Sequence, residues 1–377
     1  MPFAIRIWPL AAVLVALGGC GSGHTASNAD RREHVDSVWK TDFSRHAVAL
    51  SQFQSGGPPR DGIPPIDSPR PVSLTSGDHF LSPREPVVAV QVAGQSRAYP
   101  EQILVWHEIV NDTLGGRPVA VTFCPLCNSA LAFDRRVAGR TLTFGTTGKL
   151  RNSDLVMWDR QTQTWWQQFS GTALVGHYTG TRLRAIDAQV LSWAQFKVAY
   201  PDGTVLSRPA GSDRPYGTNP YVGYDSVPTT QPTFFDGKAD PRLPPLERVV
   251  AVSAGRDTVI VPFSALARRP VRAGVVDGRP LVVLYARGVV SALDERTIKQ
   301  SRDVGTAGVF DPRLDGRTLR FVRAGGDRFR DQSGSVWDVT GRALSGPLRG
   351  RRLPALRHDE QFWFALAAFL PHARVLK

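Results

Sequence analysis

Cys124-Pro125-Leu126-Cys127 is the segment of this chain best suited to chemistry, because its spacing can bring two sulfurs onto one turn. As thiolates they would hold a soft metal. At a helix N-terminus the same spacing would make a redox pair with a lowered thiol pKa. In an oxidising compartment it would also close a small structural disulfide. The segment leaves a strand expected over Val119–Phe123 and enters another over Ala130–Phe133. Neither a βαβ unit nor a long following helix is in view, so a metal-binding knuckle is favoured over a thioredoxin-like site.

Two cysteines do not complete a metal site. His107, Met157 and His177 could add nitrogen and sulfur, and Met157 is the one methionine after the initiator. Cys124, Cys127, His107 and Met157 are therefore the candidate metal ligands, with His177 the weakest addition. Such a soft set suits copper, with zinc the alternative. Each residue also has a plainer use: His107 satisfying a buried polar group, Met157 filling a core, His177 standing in solvent. A different chemistry, thiol-disulfide exchange, would have Cys124 attack and Cys127 resolve. In a third reading the pair staples a turn in a scaffold or interaction protein. Gly145-Thr146-Thr147-Gly148-Lys149 looks like a phosphate loop, but it lacks the full spacing and the hydroxyl residue after the lysine, so no nucleotide is expected. Trp158, Trp165 and Trp166 fit a core between sheets.

The elements that must position these residues are short strands. Val87–Val90 and Val119–Phe123 are rich in β-branched residues, and Gly-rich turns separate such runs. A helix is expected from Arg32 to about Phe53, ended by Gly56-Gly57-Pro58-Pro59. Pro64, Pro65, Pro69 and Pro71 argue against regular structure beyond it. The expected organisation is a tether and Pro-rich linker over 20–85, a first module over 86–208, a second Pro-rich linker over 209–247 and a second module over 248–377. The fold class is mostly β, α+β with few short helices.

The second module repeats the first. Val87-Val88-Ala89-Val90 returns as Val249-Val250-Ala251-Val252, Gly116-Arg117-Pro118 as Gly278-Arg279-Pro280, and Ser129-Ala130-Leu131 as Ser291-Ala292-Leu293, all at one offset. Asp159, Trp166 and Gly176 return later as Asp331, Trp337 and Gly346. An ordered series of this kind points to an internal duplication, with two pseudo-symmetric β-rich modules. The shared residues build turns and cores. The candidate ligands are what the second copy lacks: His107 becomes Arg269, Cys124 Ala286, Cys127 Val289, Met157 Phe329 and His177 Pro347.

At the start of the chain, Arg6 precedes an apolar run over Ile7–Leu17 and then Gly18-Gly19-Cys20. A basic start, a short apolar stretch and small residues before a cysteine read as a lipoprotein signal over 1–19, with lipid carried on Cys20. The expected location is outside the cytoplasm, anchored in a membrane. With Gly21 next, that is the periplasmic face of the outer membrane if the host has two. The formal net charge is +13, from 46 Lys and Arg against 33 Asp and Glu. The basic residues are scattered, with no run interleaved by aromatics, so an anionic lipid surface is a better match than nucleic acid. A protein partner is left unidentified.

Several stretches together carry a family resemblance: His107-Glu108-Ile109-Val110-Asn111-Asp112, Thr122-Phe123-Cys124-Pro125-Leu126-Cys127, Phe133-Asp134-Arg135, Met157, Trp166, Gln168 and Ser335-Val336-Trp337-Asp338. The chain resembles the domain-of-unknown-function 3179 family from about Thr41 to Pro371. That resemblance implies no activity. It does imply that His107, Cys124, Cys127 and Met157 belong to a family pattern, from which Phe123 and Asn128 depart, where Tyr and Gly are expected.

Overall fold

Val87 and Ala89 face one apolar cluster while Val88, Val90 and Val92 face another, so the first long strand is apolar throughout because both its faces are covered. The computed structural model describes residues 39–226 and 228–376. The chain from Thr41 onward is one compact unit, and it is mostly β. In chain order the first half contains β1 (Gln54–Ser55), β2 (Pro71–Ser73), β3 (Pro86–Val92), β4 (Gln95–Pro100), α1 (Glu101–His107), β5 (Ile109–Leu114), β6 (Arg117–Cys124) and β7 (Ser129–Asp134). It continues with β8 (Phe144–Arg151), β9 (Asp154–Asp159), β10 (Trp165–Gln167), β11 (Ala173–Val175), β12 (Ala185–Ile186), β13 (Ala188–Ser192), α2 (Trp193–Ala199) and β14 (Thr204–Leu206). Three sheets result, with orders β13-β3-β4-β14-β2, β12-β7-β6-β5 and β1-β8-β9-β10-β11.

The second half holds β15 (Arg248–Ala254), β16 (Asp257–Pro262), α3 (Phe263–Arg268), β17 (Val271–Val276), β18 (Arg279–Ala286) and β19 (Thr306–Phe310). After these come β20 (Phe321–Gly325), β21 (Arg328–Asp331), β22 (Val336–Trp337), β23 (Ala343–Ser345), β24 (His358–Phe362), α4 (Trp363–Phe369) and β25 (Arg374–Val375). Its sheets run β24-β15-β16-β25, β17-β18-β19 and β20-β21-β22-β23. In each half the strand before the last helix returns beside a long strand, β13 beside β3 and β24 beside β15, and the strand after that helix pairs parallel with the next one, β14 with β4 and β25 with β16. Trp166 Nε1 donates to Asp159 (3.0 Å), and Trp337 Nε1 donates to Asp331 (2.8 Å).

The expected helix up to Phe53 does not form over the described residues 39–53, which make turns and one 3-10 turn at Leu50–Gln52; positions 32–38 lie outside the described residues. Phe43 and Phe53 both pack edge-on against Trp165, at 5.3 Å each. Ten helical residues would span roughly 15 Å, too far for both rings to reach one indole. Regular structure also resumes earlier than the prolines implied. Pro71 opens the edge strand β2, where a missing N–H is tolerated. A one-turn helix, Leu74–Gly77, follows it.

Gly145–Lys149 is a bulged stretch of β8. Gly148 has φ +71°, and a Cβ there would run into the Pro58 carbonyl, so the glycine serves close packing of the Pro-rich segment. Among the described residues no helix is long and apolar enough to cross a membrane.

Candidate metal centre

Strand β6 ends at Cys124 and β7 begins at Ser129, its cross-strand partner. The intervening turn closes through Asn128, which takes φ +51° and donates its amide to Pro125. Asparagine adopts that left-handed conformation at low cost. Both sulfurs therefore leave one tight turn, and both thiols are free. They are buried, Cys124 at 2% exposure and Cys127 at 0%.

A second turn meets the first. The β8–β9 hairpin reverses at Asn152 and Ser153, with φ +53° and +63°, the conformation of a two-residue hairpin loop. Serine is uncommon there, and its carbonyl is held facing the sulfurs. Cys127 Sγ lies 3.3 Å from it and Cys124 Sγ 3.7 Å. Ser153 Oγ in turn donates to the Thr233 carbonyl (2.8 Å), which fixes the turn to the 209–247 segment.

Asp154 follows immediately. One carboxylate oxygen and the two sulfurs lie within 4.8 Å of one another. Asp154 Oδ1 accepts from Gln167 Nε2 (2.5 Å) and the Phe169 amide (2.9 Å). Gln167 is oriented by Arg151 Nη1, which donates to its Oε1 (3.2 Å). Oδ2 has no hydrogen-bond partner although the residue is fully buried. Burial raises the Asp154 carboxyl to about 7, opposed by its bonds to the Phe169 amide and Gln167, by the Cys127 thiol and by the charge of Arg151. Burial also pushes the Cys127 thiol well above its ordinary value, and Cys124 and Asp154 add to that shift. A cation would reverse both penalties, since it favours the ionised forms that burial disfavours.

The cover comes from distant segments. Tyr224 Oη donates to the Leu126 carbonyl (3.0 Å), and the Phe362 amide at the end of β24 donates to the Cys127 carbonyl (2.8 Å). Phe362 and Phe364 pack in the same core as the cysteines.

The other expected ligands are placed differently. His107 ends α1 with both ring nitrogens engaged: Nδ1 lies 2.7 Å from the Pro64 carbonyl and Nε2 2.6 Å from Tyr216 Oη. A carbonyl only accepts, so Nδ1 carries a hydrogen. Burial lowers the His107 pKa, opposed by the bond to the Pro64 carbonyl and aided by the charge of Arg214. Met157 is fully buried in the core that holds the cysteines. Alternation along β9 sends its side chain to the face opposite Asp154. His177 is exposed, edge-on to Tyr178 at 4.7 Å.

Asp154 is the group that sequence reasoning passed over. At the sequence offset that matches Met157 with Phe329, Asp154 falls opposite Gly326, so the expected repeat would have set this acid beside the other residues that change. Glu108 is a second overlooked acid near the site. It sits at φ +57° after α1, and burial, then the charge of Asp154, raises it to about 8.

The family model described as a protein of unknown function, DUF3179, matches residues 60–373. No curated protein and no solved structure matches the chain.

Proposed function

Starting from a chain that belongs to the DUF3179 family, we propose that Cys124, Cys127 and Asp154 form a metal centre in the first half of an exported lipoprotein. The observation that carries this reading is the cluster itself: two free buried thiols and one oxygen of the fully buried Asp154 carboxyl lie within 4.8 Å of one another. Burying two thiols against a carboxyl is costly, and an ion held among them would offset that cost. Two thiolates and a carboxylate suit Zn(II), which accepts sulfur and oxygen together. Cu(I) would draw on the thiolates and leave the carboxylate unused. The case for copper rested on Met157, and its face of β9 argues for zinc first and copper second. His107 is then a support of the site rather than a ligand.

Thiol-disulfide exchange has less in its favour. A nucleophilic cysteine needs exposure and a lowered pKa, whereas both sulfurs are buried and Cys127 is shifted upward. The matched strand orders of the two halves support reading them as copies of one unit, of which the first retains the ligands. The N-terminal motif supports export and lipidation at Cys20, which lies outside the described residues.

The deciding experiment is titration of the reduced, metal-free protein with Zn(II) and Cu(I). One zinc should bind per chain. Replacing both cysteines by serine should abolish binding. Asp154→Asn should weaken zinc by more than about tenfold, the scale seen when even a supporting residue is lost, and should weaken Cu(I) less. A wild type that takes up neither ion and instead cycles its cysteines on a disulfide substrate would establish the oxidoreductase.

A further inference from the structure

Three protein ligands leave a tetrahedral ion one position short. Polar atoms stand around that position. Cys124 and Ser129 are cross-strand partners, so their side chains leave the same face of the sheet with Cβ atoms roughly 5 Å apart. The two-residue repeat of β6 puts Thr122 on that face as well. Gln168 spans it, donating from Nε2 to Thr122 Oγ1 (2.9 Å) and to the Ser129 carbonyl (3.1 Å). The amide of the next residue, Phe169, holds Asp154. Ser129, across the strand from Cys124, Gln168, which bonds the Ser129 carbonyl, and Asp154 are all fully buried. Yet Ser129 Oγ, Gln168 Oε1 and Asp154 Oδ2 each lack a hydrogen-bond partner among the protein's own groups.

The contrast with the second half is direct. Ser291, which matches Ser129 in the repeat, is also buried, but its hydroxyl donates to Asp225 (2.7 Å) and accepts from Arg248 (3.0 Å). Buried hydroxyls and amides are normally satisfied, so three unsatisfied atoms on residues joined to the cysteine strand point to a ligand that is not part of the chain.

We propose that the centre is of the open kind, with the fourth position of the ion taken by a water molecule held by Gln168 Oε1 and Ser129 Oγ. The chemistry of the guest follows from the amide's orientation. Thr122 Oγ1 donates to the Leu131 carbonyl (3.1 Å), so it receives Gln168 Nε2 on a lone pair. With Nε2 committed to two acceptors, Oε1 faces the site as an acceptor. The guest must therefore donate hydrogen while offering a lone pair to the metal. Water does both, whereas a halide or an apolar molecule does not. Gln168 and Ser129 are positioning residues here, acting on the metal through that water. The inference rests on the metal reading and adds a non-protein oxygen to it.

The test uses the full chain loaded with Co(II), with electron paramagnetic resonance recorded in ordinary and in oxygen-17-enriched water. The wild type should show line broadening in the enriched solvent. Ser129→Val and Gln168→Leu, made separately, should each still hold one cobalt and lose the broadening. A cobalt-loaded wild type whose lines do not broaden overturns the inference while leaving the metal centre standing. So do variants that broaden as the wild type does. Loss of cobalt from both variants also counts against it, because neither changes a proposed ligand. A wild type with no sulfur-to-cobalt absorption removes the metal reading itself, and this inference with it.

Discussion

The Phe362 amide donates to the Cys127 carbonyl across 2.8 Å, so the last residue of β24 is hydrogen-bonded to the cysteine turn of the other half. Strain or order at the turn must reach β24 through that bond. Hydrogen exchange should show it. Peptides covering 358–364 should exchange more slowly when zinc is present than after chelation, and the Cys124→Ser, Cys127→Ser protein should not respond to zinc. Equal protection with and without zinc in a protein that binds it would refute this coupling.

Glu101 opens α1 at 4% exposure, and burial raises its carboxyl to about 7, opposed by Arg248. A folded pKa above the ordinary value of 4.5 means that the folded state binds the extra proton. Its contribution is therefore fully present in acid and is lost as pH rises from about 4.5 to about 7. Urea denaturation of Glu101→Gln should show a flatter dependence over that window and a higher stability than wild type at pH 8. A slope identical to wild type would show that the carboxyl is not buried as a charge.

Trp166 and Trp337 are both fully buried and both donate to an aspartate six or seven residues earlier. Truncating either to alanine should cost about 3–5 kcal/mol. Both losses should appear in one cooperative transition, because residues 41 onward form one unit. Two separated transitions in either variant would contradict that.

Cys20→Ala should release the protein from the membrane fraction or block its processing. The check is mass spectrometry of the mature N-terminal peptide. A wild-type peptide carrying no added lipid would end the lipoprotein reading.

Local chemistry made much of this molecule legible. The β-branched runs at Val87–Val90 and Val119–Phe123 lie in β3 and β6, and the cysteine turn sits between strands as its flanks implied. What failed was non-local. Phe43 and Phe53 look helical until Trp165, far along the chain, claims both rings. Asp154 has no motif of its own. It joins the cysteines only because the β8–β9 hairpin folds its tip onto the β6–β7 turn. His107 carries the residue type expected of a ligand, but the Pro64 carbonyl and Tyr216 occupy both its nitrogens.

The cover over Cys124 and Cys127 is drawn from residues that come much later in the chain, Tyr224 and then Phe362. Because chains emerge from their N-terminal end and fold as they are released, the thiols are complete and bare before either covering residue arrives. That interval is the natural time for an ion to enter. It is equally the time at which an oxidant could join the two sulfurs and forestall loading. The order of residues along the chain thus separates the making of the thiol pair from its covering: Tyr224 and Phe362 close over sulfurs that earlier residues have already placed.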